Sequence, residues 1–210
     1  METYVVRVWV PDRPGALGQV ASRIGAARGD VIGIDILERG AGKAIDELVV
    51  TLPSADLVDL LVSEISQVDD ASVEEVRHLD GDMPEFGTAA LEIAARIVET
   101  TPADRLDLLC RELMEFLDAD WARAVSLTEG SALVEVGEDG PTSAWLAAFI
   151  EGSSHLPSEA QSAATPHDLA WAVLPAVELA VAVGRHSVPF RARERRQVAL
   201  LGRVLDGIGI

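Results

Sequence analysis

Cysteine is nearly absent: Cys110 stands alone in 210 residues. A single thiol closes no intramolecular disulfide and builds no thiolate metal cluster. It falls on the apolar side of a helical pattern, where a small buried hydrophobe is the ordinary reading. Positive charge is scarce too. Seventeen Lys and Arg face 35 Asp and Glu, for a net charge of −18, and Lys43 is the only lysine. Nucleic-acid phosphates repel such a chain, and so do anionic membrane surfaces, so neither is expected as a partner. The acids run through both halves and read as a solubility device. No apolar stretch reaches the ~20 residues of a membrane-spanning helix, and no secretory pattern opens the chain, so the cytoplasm is the expected location. Aromatics make up only 4% of residues, which leaves Val, Leu, Ile and Ala to build the cores.

Catalytic signatures are missing as well. His78, His155, His167 and His186 share no paired spacing of the kind that metal or general-base sites use. There is no nucleophile elbow and no dinucleotide fingerprint. Gly40-Ala41-Gly42-Lys43 has the glycines and lysine of a phosphate loop, but it joins two strand-like runs and reads as a hairpin turn. Asp69-Asp70 and Glu74-Glu75 are sequence neighbours, and neighbours on a strand point to opposite faces rather than converge. Arg191, Arg193, Arg195 and Arg196 cluster before the last helix. They either neutralise acids of the same fold or form a site for phosphate or an acidic partner.

What is present begins with Tyr4 to Val10. Val6, Val8 and Val10 point one way, and Val5, Arg7 and Trp9 the other. Trp9 covers either a partner surface or a neighbouring side chain. Ala16, Leu17, Val20, Ala21, Ile24 and Ala27 recur at helical spacing. Between strand and helix lies Pro11-Asp12-Arg13-Pro14-Gly15. Asp12 suits a helix N-cap, Pro14 presets its φ, and Gly15 lets another molecule approach the backbone. The N–H groups of a helix start attract an anion. The plain alternative is that Asp, Pro and Gly simply suit a strand–helix turn.

Asp30 opens a second strand through Leu37, and Ile45 to Leu52 makes a third. Ser54 caps a helix carrying Leu57, Leu60, Leu61, Ile65 and Val68, and Ser72 to Leu79 alternates as a fourth strand. The order βαββαβ is that of a ferredoxin-like sandwich, with two helices on one face of a four-stranded antiparallel sheet. The other face and the sheet edges are left open to a second copy.

This order, with Val8-Trp9-Val10-Pro11-Asp12-Arg13-Pro14-Gly15-Ala16-Leu17 at the first junction and Gly29-Asp30-Val31 at the second strand, resembles the ACT domain over about residues 3–80. The resemblance implies a regulatory module that binds an amino acid where two copies pair. The effector contacts it implies are Asp12, Arg13, Pro14, Gly15, Ala16, Leu17, Asp30 and Val31. Many members carry Asn where this chain has Asp30. An ionised Asp only accepts hydrogen bonds, so it suits an ammonium and disfavours a carboxylate.

Residues 81–87 read as a Gly/Pro-containing linker. Thr88 opens a helix with Leu91, Ala94, Ala95 and Val98 inside. Thr101-Pro102 starts another, with Leu106, Leu109, Cys110, Leu113, Phe116 and Leu117 as its stripe. A hairpin follows over Trp121 to Val136, then a helix with Trp145, Leu146, Phe149 and Ile150. Gly152 to Asp168 shows no period and reads as a mobile loop or a lid. Two strands, Leu169 to Leu174 and Val177 to Gly184, precede a closing helix. This order, with Val181-Ala182-Val183-Gly184-Arg185 and Pro189-Phe190 before a Leu-rich helix, resembles a GAF-type domain over about residues 88–208.

The expected fold class is α+β: an ACT-like sandwich in residues 1–80 and a GAF-like α/β domain with a central antiparallel sheet in residues 88–210. The expected function is that of a non-catalytic regulatory homodimer. Its first module binds an amino acid or a similar small effector, coupled to a sensory or dimerising second module. No catalytic residue, metal or cofactor is expected. The rival is a degenerate scaffold that acts only through protein–protein interaction. A third reading, an enzyme built on the second module, requires a converging polar pocket that no sequence pattern supplies.

Overall fold

The computed structural model describes residues 1–79, 88–155 and 166–210. The expected linker 81–87 lies outside the described residues, as do residues 156–165 of the expected loop. The chain divides into two compact units, Met1–Glu85 and Phe86–Ile210.

The first unit runs β1 (Glu2–Pro11), α1 (Ala16–Ala26), β2 (Asp30–Gly40), β3 (Lys43–Leu52), a 3-10 turn (Ala55–Leu57) leading into α2 (Val58–Ile65), and β4 (Ser72–His78). The strands pair antiparallel in the order β2-β3-β1-β4. This is the expected βαββαβ arrangement. Alternation builds it: Val6, Val8 and Val10 of β1 join Leu48, Val50 and Leu52 of β3 in one cluster. Val20 and Ile24 of α1 and Leu61 and Ile65 of α2 close over them. Ser54 does cap the turn, accepting from the Asp56 N–H at 3.3 Å. Leu60, however, is exposed, and Leu61 takes the inward position.

The second sheet face differs from expectation. Val5, Ile45 and Val49 are buried there, and Arg7 and Glu47 are buried with them. The Arg7 guanidinium donates to Glu47 Oε1 from Nη2 at 2.6 Å and from Nε at 3.1 Å. The Trp9 indole donates to Glu74 Oε1 at 3.1 Å, so this ring covers a neighbouring side chain. Edge strand β2 leaves Ile32 and Ile34 exposed.

The second unit runs α3 (Ala89–Glu99), α4 (Pro102–Phe116), β5 (Trp121–Ser126), β6 (Ala132–Gly137), α5 (Ser143–Ser154), β7 (Leu169–Leu174), β8 (Leu179–Gly184) and α6 (Ala192–Ile208). Its antiparallel sheet has the order β6-β5-β8-β7. One cluster joins α3, α4 and α6 to one sheet face, and a separate cluster joins α5 to the other. The phase of α3 corrects the expected stripe. Leu91 is 71% exposed and Val98 52% exposed, while Ile93 and Ile97 are buried.

Two details hold this unit's closing segment. Gly184 lies directly under Trp121, and a Cβ there would overlap the indole. Arg185, 3% exposed, binds the segment on all sides. Its Nη1 donates to Leu117 O at 2.6 Å, Nε to Val188 O at 2.8 Å, and Nη2 to Pro189 O at 3.1 Å and Glu194 Oε1 at 2.7 Å. Arg191 precedes α6 without supplying an acceptor. The cap works from the other end, because Glu194 Oε2 accepts from the Arg191 N–H at 2.6 Å. Of the arginine cluster, Arg195 donates to the carbonyls of Leu169, Pro166, His167 and Phe190.

Cys110 is fully buried among these helices. Burial, with Asp107 adding to it, pushes its thiol pKa up to about 12. Thiolate is the reactive form. A thiol-specific reagent at pH 8 is therefore expected to leave the native chain unlabelled and to label it stoichiometrically in denaturant, read by intact mass.

Candidate functional site

The turn between β1 and α1 is built in two steps. At the end of β1 the Asp12 N–H donates to Gly42 O at 2.9 Å, tying the loop to the β2–β3 hairpin tip. Then the Ala16 N–H reaches back to Arg13 O at 3.3 Å, closing a four-residue turn. Pro14 and Gly15 are its central residues, and Gly15 has φ 84° and ψ −9°. This is the type II pattern, with proline first and a left-handed glycine second. A Cβ at Gly15 would meet nothing within 4 Å. The backbone angle therefore selects glycine here, and the space beside it is open.

This turn moves the helix start away from Asp12, so the expected cap is not made. Gly15 is the N-cap residue, α1 has no side-chain cap, and its first turn holds no acid. The Leu17 and Gly18 N–H groups bond to no described residue. Helix starts in this condition present positive partial charge and free donors. Ala16 is buried in the core and Leu17 packs against it, so both anchor the helix. Arg13 folds back along α1 instead of turning inwards, its Nη2 donating to Gln19 Oε1 at 3.1 Å.

Asp30 and Val31 are not brought to this loop within one chain. Asp30 pairs with Thr51 and thence with Thr3, whereas the loop leaves β1 at Pro11, which pairs with Lys43. The eight steps between Thr3 and Pro11 put the two groups about 27 Å apart along the sheet. Asp30 is exposed, and Val31 packs against the core.

One residue of interest escaped the sequence reading. Asp46 is 3% exposed on β3, opposite Val8 of β1 and Ile36 of β2. It shares the helix-covered face with Leu48 and Val50. Its Oδ1 is enclosed and accepts no hydrogen bond. Burial raises its pKa; Arg39 opposes that shift, and Asp12 and Asp35 add to it. Because the folded carboxyl titrates above its unfolded value, ionisation destabilises the fold. The penalty is absent below the unfolded pKa, grows as pH rises towards the folded value, and is complete above it. Strict alternation through Ala44, Asp46, Leu48, Val50 and Leu52 is the signal that marks Asp46 as inward.

His186 Nδ1 lies 2.8 Å from Asp120 Oδ2, both exposed, and the hydrogen bonds from His186 hold the Asp120 carboxyl below its usual range. His78 lies 2.8 Å from Glu2. Among the described residues no group of three or more His, Cys, Asp or Glu is placed to hold a metal ion. No described helix is long and apolar enough to cross a membrane. The second unit has a cleft of about 440 Å³ with an apolar floor of Leu127, Ile150 and Val173 and a rim that includes Glu151 and Glu178.

Residues 4–70 match the sequence model of the ACT domain. The chain is similar to the ACT domain from the GTP pyrophosphokinase of Chlorobium tepidum, at 18% identity over 38% of this chain and 100% of that one, with a TM-score of 0.30. It is similar to an ACT domain protein from Streptococcus pneumoniae, at 14% identity over 37% of this chain and 89% of that one, TM-score 0.31. It is also similar to a formyltetrahydrofolate deformylase from Pseudomonas putida KT2440, at 16% identity over 45% of this chain and 37% of that one, TM-score 0.30. No curated protein matches the chain.

Proposed function

We propose that this chain, which carries an ACT domain in residues 4–70, is a non-catalytic regulatory protein whose first unit binds an amino acid or similar small zwitterion between two copies. The observation that carries this reading is the start of α1. A type II turn holds open, uncapped N–H donors beside empty space, with no acid in the first turn to compete for them. That end suits a ligand carboxylate. The distance from this loop to Asp30 and Val31 of the same chain supports a site completed by the second copy's β2. The second unit, an antiparallel sheet with helices on both faces, is read as a GAF-like sensory or dimerising module.

The test is calorimetric titration of the full chain with each standard amino acid at up to millimolar concentration, with the oligomeric state followed by light scattering. Heat from one or a few related amino acids, with a dimer present, is the expected result. A folded dimer that binds none of them favours the rival reading, a scaffold acting through protein contacts. The acidic Asp30 at the β2 start is the feature that favours that rival.

A further inference from the structure

We infer that the outward face of α3 and α6 is a pairing surface of the second unit, and that its occupant is the same face of a second copy of this chain. The inference concerns the second unit alone and does not depend on the effector reading above.

The apolar side chains come first. Leu91 and Val98 of α3 are exposed, and so are Leu200 and Ile208 of α6, the helix packed beside it. Each pair belongs to a stripe at helical spacing. On α3 it runs through Leu91, Ala95 and Val98, all exposed, and on α6 through Leu200, half-buried Val204 and Ile208. Arg105 sets the two stripes abreast. Its Nη2 donates to Val98 O at 3.4 Å, and its Nη1 to Ile208 O at 3.1 Å and Gly209 O at 2.8 Å. The two helices therefore end together, and Leu91 and Leu200 lie about 10 and 12 Å back along them. Single exposed leucines are ordinary, whereas an apolar stripe shared by two helices marks an interaction surface.

Charge identifies the occupant. Glu92 and Glu99 border the stripe on the flank of α3 that meets α4, where Arg96 donates to Glu112. Arg196 and Arg203 border it on the far side, on the flank of α6 where Asp206 accepts from the Ala176 N–H. None of these four side chains makes a hydrogen bond or ion pair with another described residue. An acidic rim, an apolar centre and a basic rim on one surface are self-complementary about a twofold axis parallel to the helices. In that arrangement α3 of each copy lies over α6 of the other, and each acidic rim meets a basic one. A partner of one charge sign matches only one rim, and the acidic rim repels nucleic acid and anionic lipid.

The experiment measures self-association of the full chain by sedimentation velocity over a concentration series. Leu91→Glu with Leu200→Glu is expected to weaken association at least tenfold, with circular dichroism unchanged because both side chains are exposed. Glu92→Arg with Glu99→Arg, and separately Arg196→Glu with Arg203→Glu, are each expected to weaken it too. The first pair lowers the net negative charge and the second raises it, so a loss in both is not an effect of bulk charge. An equimolar mixture of the two charge-reversed chains is expected to recover association, because every rim contact between unlike copies is again of opposite sign. Pairing through the first unit alone leaves all of these variants associating like wild type, and that result overturns the inference. So does a wild-type chain that stays monomeric, or a mixture that associates no better than its components. Should Leu91→Glu with Leu200→Glu not fold, the charge-reversed mixture decides alone.

Discussion

Arg185→Met is expected to destabilise the second unit by about 3–5 kcal/mol, the range for breaking a buried ion pair from one side. The guanidinium is 3% exposed and its contacts are distributed over four groups, the carbonyls of Leu117, Val188 and Pro189 and the Glu194 carboxylate. It also lies 4.2 Å over the Phe190 ring. Methionine fills much of the volume and supplies none of these donors. The three carbonyls lose their bonds, and Glu194, itself 5% exposed, loses its guanidinium. Lysine is a poor rescue, because one ammonium cannot span a fork of acceptors. Urea unfolding followed by tryptophan fluorescence measures the effect, since Trp121, Trp145 and Trp171 all report on this unit. A loss below about 1 kcal/mol, the scale of a single net hydrogen bond, would show that the carbonyls find other donors.

Gly15→Val is expected to weaken effector binding more than tenfold while leaving the first unit folded. Gly15 sits at φ 84°, where a residue with a Cβ is strained by about 1–2 kcal/mol and a β-branched one more so. Relief comes from rotating the turn, which swings the Leu17 and Gly18 N–H groups away from the position they hold. The open space around Gly15 means that no core contact is disturbed. Asparagine tolerates the left-handed region better than other residues with side chains, so Gly15→Asn is expected to retain most of the affinity. Titration of both variants with the amino acid that binds wild type measures the difference. Equal binding by Gly15→Val would remove the loop from the ligand site.

Much of the architecture was readable from period alone. Val6, Val8 and Val10 alternate cleanly, and Leu106, Leu109 and Leu113 fall on one stripe, so both elements and their buried faces were legible. Phase failed where apolar residues are crowded. Leu60 and Leu61 are adjacent, and α3 carries Leu91, Ile93, Ile97 and Val98 on more than one side, so several stripes fit equally well and packing chooses among them. At the candidate site, the Pro14-Gly15 pair already carried the type II turn. That turn is the plain alternative to a cap at Asp12, and the structure takes it, because a cap and a turn compete for the same residues. Arg7 and Glu47 meet across 40 residues of chain, and no local pattern announces such a pair. Asp46 was legible in principle, as one acid in an inward row of apolar residues.

If the proposed site is shared between two copies, the separation of the α1 loop from Asp30 along one sheet carries a consequence for dose. A pocket assembled from the loop of one copy and the β2 start of another has the chain's own concentration written into its occupancy. Dilution that parts the copies then lowers effector affinity, and by reciprocity the effector tightens the pairing by the same factor. Under the proposed two-copy reading, occupancy would follow the product of two abundances, the ligand's and the chain's own.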